Sequence, residues 1–261
     1  MVDLMKSYIV IVSDCSDVAY NEMREVIAGE LDRLGSSDEV VVEPLVSAAP
    51  FSIVNGAFLV RLMAEIYPPG RTTVLVVLNP SKQRPERIAG ETNNGFKFVG
   101  ANTGTLNWLI SDFGLKNLYE LNDPGFLPFG GKFVHSPAAA NIASGLGFEK
   151  IGKPIDLGIL NKFMIKDGTV VHIDNFGLAK IKGEPPTFNE GQRLKVSVNG
   201  TRHFEAIYAK RMMSLDDGAI ALYRGSSLGG MPEIGMVRKT DGARLLGLAI
   251  GDSVKWDAIS A

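Results

Sequence analysis

The spacing of apolar and polar positions divides the chain into two regimes. In the first, apolar runs alternate with segments of helical period. YIVIVSD (8–14) is a continuous β-branched run ending in an acid, which predicts a strand covered on both faces. Met23, Val26, Ile27, Leu31 and Leu34 recur at helical spacing and predict a helix over 20–34, ended by Gly35. EVVVEPLV (39–46) predicts a second strand, 48–67 a helix with Pro50 in its first turn, and 72–78 a third strand. Beyond VLVVL the stretch NPSKQRPERIAG reads as a polar loop. KFVGAN (97–102) predicts a strand and TLNWLISDFG (105–114) a short helix ended by Gly114.

After about Gly145 the pattern changes to short strands separated by turn residues: GTVVHIDNFG, QRLKVSVNGTRHFEAIY, GAIALYRG and MPEIGMV. Asn199-Gly200 between two alternating runs is a hairpin signal. The expected architecture is an α/β domain over 1–150, with a mostly parallel sheet flanked by helices, followed by a smaller all-β barrel over 151–261.

Composition narrows the function. At 261 residues and 45% hydrophobic, the chain has material for a full core. A formal net charge of −2 gives no overall basic field for nucleic acid or an anionic membrane. The single cysteine, Cys15, excludes an intrachain disulfide and a cysteine-based zinc site, and no metal is expected. The N-terminal apolar stretch is too short for a signal peptide and no run reaches membrane-spanning length, so a soluble cytoplasmic protein is expected. In open α/β sheets ligands bind beyond the carboxyl ends of the strands, and three of those ends carry Asp14, Asn79 and Asn102.

Six segments, in order, resemble one family. They are Ser13-Asp14 after the first strand; APFSIVNGAFLV; YPPGRTTVLVVLNP; FVGANTGTLNWL; FGGKFVHSPAAANIASG, which opens on Phe129; and GTVVHIDNFGLAKI. Together they resemble the S-adenosylmethionine hydroxide adenosyltransferase and fluorinase family. That resemblance implies S-adenosylmethionine as substrate, attack at its C5′ carbon by water or another small nucleophile, and loss of methionine. It also implies a homotrimer with nucleoside-type ligands bound at subunit interfaces.

Carried over residue by residue, the resemblance gives Asp14 the ribose hydroxyls and Asp17 the methionine ammonium. It sets Phe51 beside the sugar, Asp174 near the methionine amino group and Phe176 near the adenine. Ser227, in the loop with Ser226 and Gly229, is assigned to the methionine carboxylate, and Asn102 and Phe129 join the ligand-binding set. Each has a plainer reading. Asp14 reads as a helix N-cap, Phe51 as a core or staple residue, Asp174 as turn chemistry, and the serines as an ordinary loop.

The departures matter as much. The family's aspartate before the proline is Asn79, its histidine after the phenylalanine is Gly130, and its arginine is Arg87 or Arg84. Asn79, Arg87 and Gly130 thus occupy the catalytic positions with a dismantled water-activating set, which N79D with G130H is expected to rebuild. His135, five residues on, reads as packed. The family's asparagine after F-G is Leu178, which cannot donate to a purine. Three readings stay open: a displacement enzyme, a non-catalytic nucleoside-binding protein, or an enzyme whose Arg84, Lys82 and Arg87 hold a different, anionic ligand.

Overall fold

The computed structural model describes residues 6–78, 84–125 and 127–259. The chain divides into two compact units, Met1–Met164 and Ile165–Ala261.

The first unit is built on an eight-stranded mixed sheet. Its strands are β1 (Ser7–Ser13), β2 (Val40–Val42), β3 (Val46–Ser47), β4 (Thr72–Val77), β5 (Arg87–Thr92), β6 (Lys97–Ala101), β7 (Leu115–Leu121) and β8 (Gly152–Pro154). The order is β2-β1-β4-β6-β5-β7-β8, with β3 continuing β2 along β1. β2, β3, β1, β4 and β6 pair in parallel, and β5, β7 and β8 extend the sheet antiparallel. The β-branched runs of β1 and β4 fit its centre because both faces are covered. Ile9, Ile11 and Leu75 join one core with Ala89 and Val99. By alternation Val10, Val12, Val74 and Val76, all buried, face the other side, where α2 (Ile53–Ile66) packs on β1 and β4.

α1 (Asp17–Leu34) buries Met23, Ile27 and Leu31, four residues apart, and packs on α4 (Ser136–Ala143), whose alanines allow close approach. Gly35 ends α1 at φ 69°, with its N–H on the Asp32 carbonyl. The 39–46 strand forms in two pieces, interrupted at Glu43-Pro44-Leu45, because proline cannot donate to the ladder. The loop expected after residue 78 is strand from Arg87 onward. In RIAGET the side chains of Arg87, Ile88, Ala89 and Thr92 are buried between neighbours on both edges.

The second unit is one seven-stranded sheet. It comprises β9 (Val170–Ile173), β10 (Ala179–Ile181), β11 (Arg193–Val198), β12 (Arg202–Tyr208), β13 (Ile220–Arg224), β14 (Pro232–Met236) and β15 (Val254–Ala258). Its order is β15-β11-β12-β13-β14-β10-β9, and a bridge between Thr169 and Ser253 joins the two ends, so the sheet curls into a barrel. Asn199 and Gly200 both take left-handed backbone, φ 54° and 70°, at the β11–β12 hairpin. Across β13, β14, β10 and β9, Tyr223, Glu233, Lys180 and His172 stand directly opposite one another. This polar row lies on the face opposite the Leu222, Ile234 and Ala179 core. Glu233 pairs with Lys180 and accepts the Tyr223 hydroxyl at 2.6 Å. Burial, followed by the bond to Glu233, raises the Tyr223 phenol far above its ordinary range.

Candidate active site

The first candidate residue, Asp14, follows the carboxyl end of β1, which pairs in parallel with β4. Ser13 is paired with Val77 across β1 and β4, and its buried hydroxyl donates to the Val77 carbonyl at 2.7 Å while accepting the Cys15 N–H at 2.9 Å. That locks the turn from which Asp14 projects. Asp14 Oδ2 accepts the Phe51 N–H at 2.8 Å. Phe51 lies in left-handed backbone at φ 56°, and the residue is 69% exposed. A phenylalanine in that conformation costs of order 1 kcal/mol, and outliers of this kind cluster at ligand sites. The helix expected over 48–67 starts later for this reason: its regular turns begin at Ile53, with Ser52 as N-cap accepting the Asn55 N–H. Asp14 Oδ1 meets only a long contact from the Cys15 thiol, 3.9 Å, so the carboxylate keeps accepting capacity. Burial raises the Cys15 thiol pKa, so this thiol is not an activated nucleophile.

Arg87 begins β5 opposite Ala101, at the end of β6. It is 8% exposed, and its Nε lies 3.5 Å from Asp123 Oδ2, an oxygen shared with Arg84. Burial first lowers the Arg87 pKa, with the Asp123 charge opposing. Gly130 lies against this guanidinium: a Cβ at residue 130 would stand 2.6 Å from Arg87 Nη2. The arginine therefore fills the space that a side chain at 130 would need, and a histidine there does not fit without displacing it. Gly131 packs on Val77 in the same way: a Cβ at residue 131 would stand 2.7 Å from Val77 Cγ1. It opens a π-helical turn, Gly131–His135, an uncommon geometry frequent at functional sites. Phe129 packs on the core beside it. Contacts thus run from Asp14 through Ser13, Val77, Gly131 and Gly130 to Arg87.

Other expected residues lie elsewhere. Asn79 and Lys82 lie outside the described residues. Asp17 is exposed at the start of α1, at φ 51°. Asn102 is buried and its amide is fully used: it donates to Glu86 and to the Ile159 carbonyl, and accepts the Asn161 N–H at 2.8 Å. In the second unit Asp174 Oδ1 accepts the N–H groups of Phe176 and Leu178, forming the turn that leaves Phe176 61% exposed. Leu178 packs over Gly235, and Ser227 is buried while Ser226 is exposed. Asp123, the counter-ion of both arginines, gave no sequence signal, because NDPG reads as an ordinary turn. Among the described residues, no group of three or more His, Cys, Asp or Glu could hold a metal, and no helix is long and apolar enough to cross a membrane.

The fold is shared with two solved structures. An uncharacterized conserved protein from Thermotoga maritima aligns with a TM-score of 0.79 at 21% identity, covering 95% of this chain and 99% of its own. A conserved hypothetical protein from Thermus thermophilus aligns with a TM-score of 0.75 at 22% identity, covering 97% and 100%. No curated protein matches the sequence. Residues 9–152 match the SAM hydroxide adenosyltransferase N-terminal domain, and with more than half its length accounted for in this way, the chain belongs to the SAM hydroxide adenosyltransferase family.

Proposed function

We propose that the protein binds S-adenosylmethionine and catalyses displacement of methionine from its C5′ carbon. The observation that carries this reading is the Asp14–Phe51 pair at the end of β1. A carboxylate with spare accepting capacity holds an exposed aromatic in a strained conformation, at the carboxyl end of a central strand, where α/β folds bind ligands. The carboxylate suits a ribose diol, and the ring offers an apolar wall that excludes water. The sulfonium leaves without protonation, so the protein needs chiefly to orient and desolvate the nucleophile. Asp174 and Phe176 would serve the methionine and adenine ends, and a homotrimer is the proposed assembly.

A non-catalytic nucleoside-binding role is the second reading, favoured by Gly130, which has no side chain to act on water. A new anionic ligand is disfavoured, because Arg84 and Arg87 already share Asp123. Calorimetric titration with S-adenosylmethionine tests the binding step. Wild type is expected to bind, and Asp14→Ala to bind at least ~10-fold more weakly, about 1.4 kcal/mol. Equal affinity of the two proteins would remove Asp14 from the site.

A further inference from the structure

The second unit carries a cleft at the end of its barrel remote from Asp174 and Phe176. β10 starts just after the Asp174 turn, β14 runs antiparallel to β10, and β13 antiparallel to β14. β10 and β13 therefore run the same way, and β13 finishes at the far end, with Arg224. β12 is parallel to β13 and finishes there too, with Tyr208. Together with the segment that leaves β10, these strand ends bound a cleft of about 560 Å³, lined in part by Pro185, Pro186, Phe188, Gln192, Tyr208 and Arg224. That volume lies in the range of small-molecule sites, which occur in the mouths of β-barrels.

The groups that line it are held in place. Tyr208 is 7% exposed and belongs to the barrel core, and Phe188 packs on that core. Their rings meet edge to face, with centroids 5.9 Å apart. A buried tyrosine hydroxyl usually finds a partner. Among the described residues nothing bonds to the Tyr208 hydroxyl, and this atom is not sealed from solvent, so it is offered to the cleft that its residue lines. Arg224 follows Leu222 by two residues and so starts from the core face of β13. The loop after it seats the guanidinium: Nη2 donates to the Gly229 carbonyl at 2.8 Å, and a Cβ at residue 230 would collide with Nε. A guanidinium has five N–H donors, so capacity remains. Arg193, Arg202, Arg238 and Arg244 of the same unit are each paired with a carboxylate. Among the described residues Arg224 has no such partner, and it is the only charged residue in the lining.

An oriented guanidinium without a counter-ion, beside an aromatic wall, fits an anion with a flat apolar body. One guanidinium balances one negative charge and can take a carboxylate through two parallel hydrogen bonds. A phosphate dianion is matched less well, because no second cation lines the cleft. We propose that this end of the barrel binds a small aromatic carboxylate, with the carboxylate on Arg224, the ring against Phe188 and Tyr208, and a polar ring substituent on the Tyr208 hydroxyl. The site is separate from the residues assigned to S-adenosylmethionine in this unit and does not depend on that reading.

Calorimetric titration of the full chain with indole-3-acetate tests it. Expected is saturable binding with Kd below ~1 mM. The neutral indole-3-acetamide should bind at least ~10-fold more weakly, and inorganic phosphate more weakly than indole-3-acetate. Arg224→Met, which keeps an apolar stem and removes the charge, should weaken indole-3-acetate at least ~10-fold, and Tyr208→Phe by ~2–10-fold. Crystals soaked in 5-bromoindole-3-acetate should show the anomalous bromine peak inside the cleft. Absence of saturable binding, equal affinity for the amide, tighter binding of phosphate, unchanged affinity in Arg224→Met, or a bromine peak elsewhere overturns the proposal; unchanged affinity in Tyr208→Phe removes the hydroxyl from the site. If Arg224→Met fails to fold, the amide comparison and the bromine position in wild type still decide. Neither readout involves S-adenosylmethionine, so failure here and failure of the proposed function are told apart.

Discussion

Replacing Gly130 by alanine puts a methyl group where the Arg87 guanidinium now lies. The added carbon would stand 2.6 Å from Nη2, 2.8 Å from Cζ and 3.2 Å from Nε. Unstrained carbon contacts are about 3.5–4.0 Å, so the guanidinium must retreat by roughly 1 Å. Arg87 is 8% exposed and has little room to retreat, and the movement also disturbs its 3.5 Å contact with Asp123. Overpacking of this kind costs about 1–3 kcal/mol, and the flexible arginine stem favours the lower half, about 1–2 kcal/mol. At ~2–4 °C per kcal/mol for a chain of this size, Tm should fall by about 2–8 °C. The control is the same change in an Arg87→Ala background. Asp123 keeps Arg84 as its partner there, and the three atoms nearest the added carbon, all of the guanidinium, are gone, so Gly130→Ala should cost less than about 0.5 kcal/mol. Urea unfolding of the four proteins gives a coupling energy of about 1 kcal/mol. Equal costs of Gly130→Ala in both backgrounds would refute the packing of Arg87 against Gly130. They would also refute the reason given for excluding a histidine there.

Three further outcomes follow from the same geometry. The His135 pKa is depressed in the folded state, so between pH 6.5 and about 3 the unfolded chain binds the extra proton; stability rises with pH across that window at up to about 1.4 kcal/mol per unit and is flat above it, and urea titrations of His135→Leu should lack this slope. Phe51→Gly should leave stability unchanged or raised by up to ~1 kcal/mol, because glycine tolerates φ 56°, while ligand affinity measured by calorimetry falls; a clear loss of stability would mean that the ring packs on the core. Asn102→Ala removes three part-buried hydrogen bonds and should cost about 3 kcal/mol in urea unfolding, and a cost below ~1 kcal/mol would contradict its role as the tie to residues 159–161.

The parts of the fold that were legible are those where local chemistry has one solution. YIVIVSD and TVLVVL carry too many β-branched residues to lie anywhere but the sheet centre, and Gly35 and Asn199-Gly200 fit their left-handed positions. RIAGET was not legible, because two charged residues and a glycine mask a strand whose burial comes from β6 and β7 pairing on its two sides. The site divides in the same way. Asp14 stood out as a candidate by its strand-end position and Phe51 by resemblance, and the bond between them depends on a backbone twist at Phe51 that no sequence pattern announces. Gly130 read as an empty position, but the space beside it is filled by Arg87, 43 residues earlier in the sequence. His135 read as a packed residue; it is buried, with both ring nitrogens unpartnered, and burial alone would not have shown that.

The central claim, that this strand-end site binds S-adenosylmethionine and releases methionine from C5′, is tested most directly by one experiment. Purified wild-type protein is titrated calorimetrically with S-adenosylmethionine, and the same samples are then chromatographed for methionine and nucleosides. The account predicts saturable heat, with methionine and adenosine appearing in equal amounts. Absence of heat and of products would contradict it; heat without products would leave the protein a nucleoside-binding member of its family.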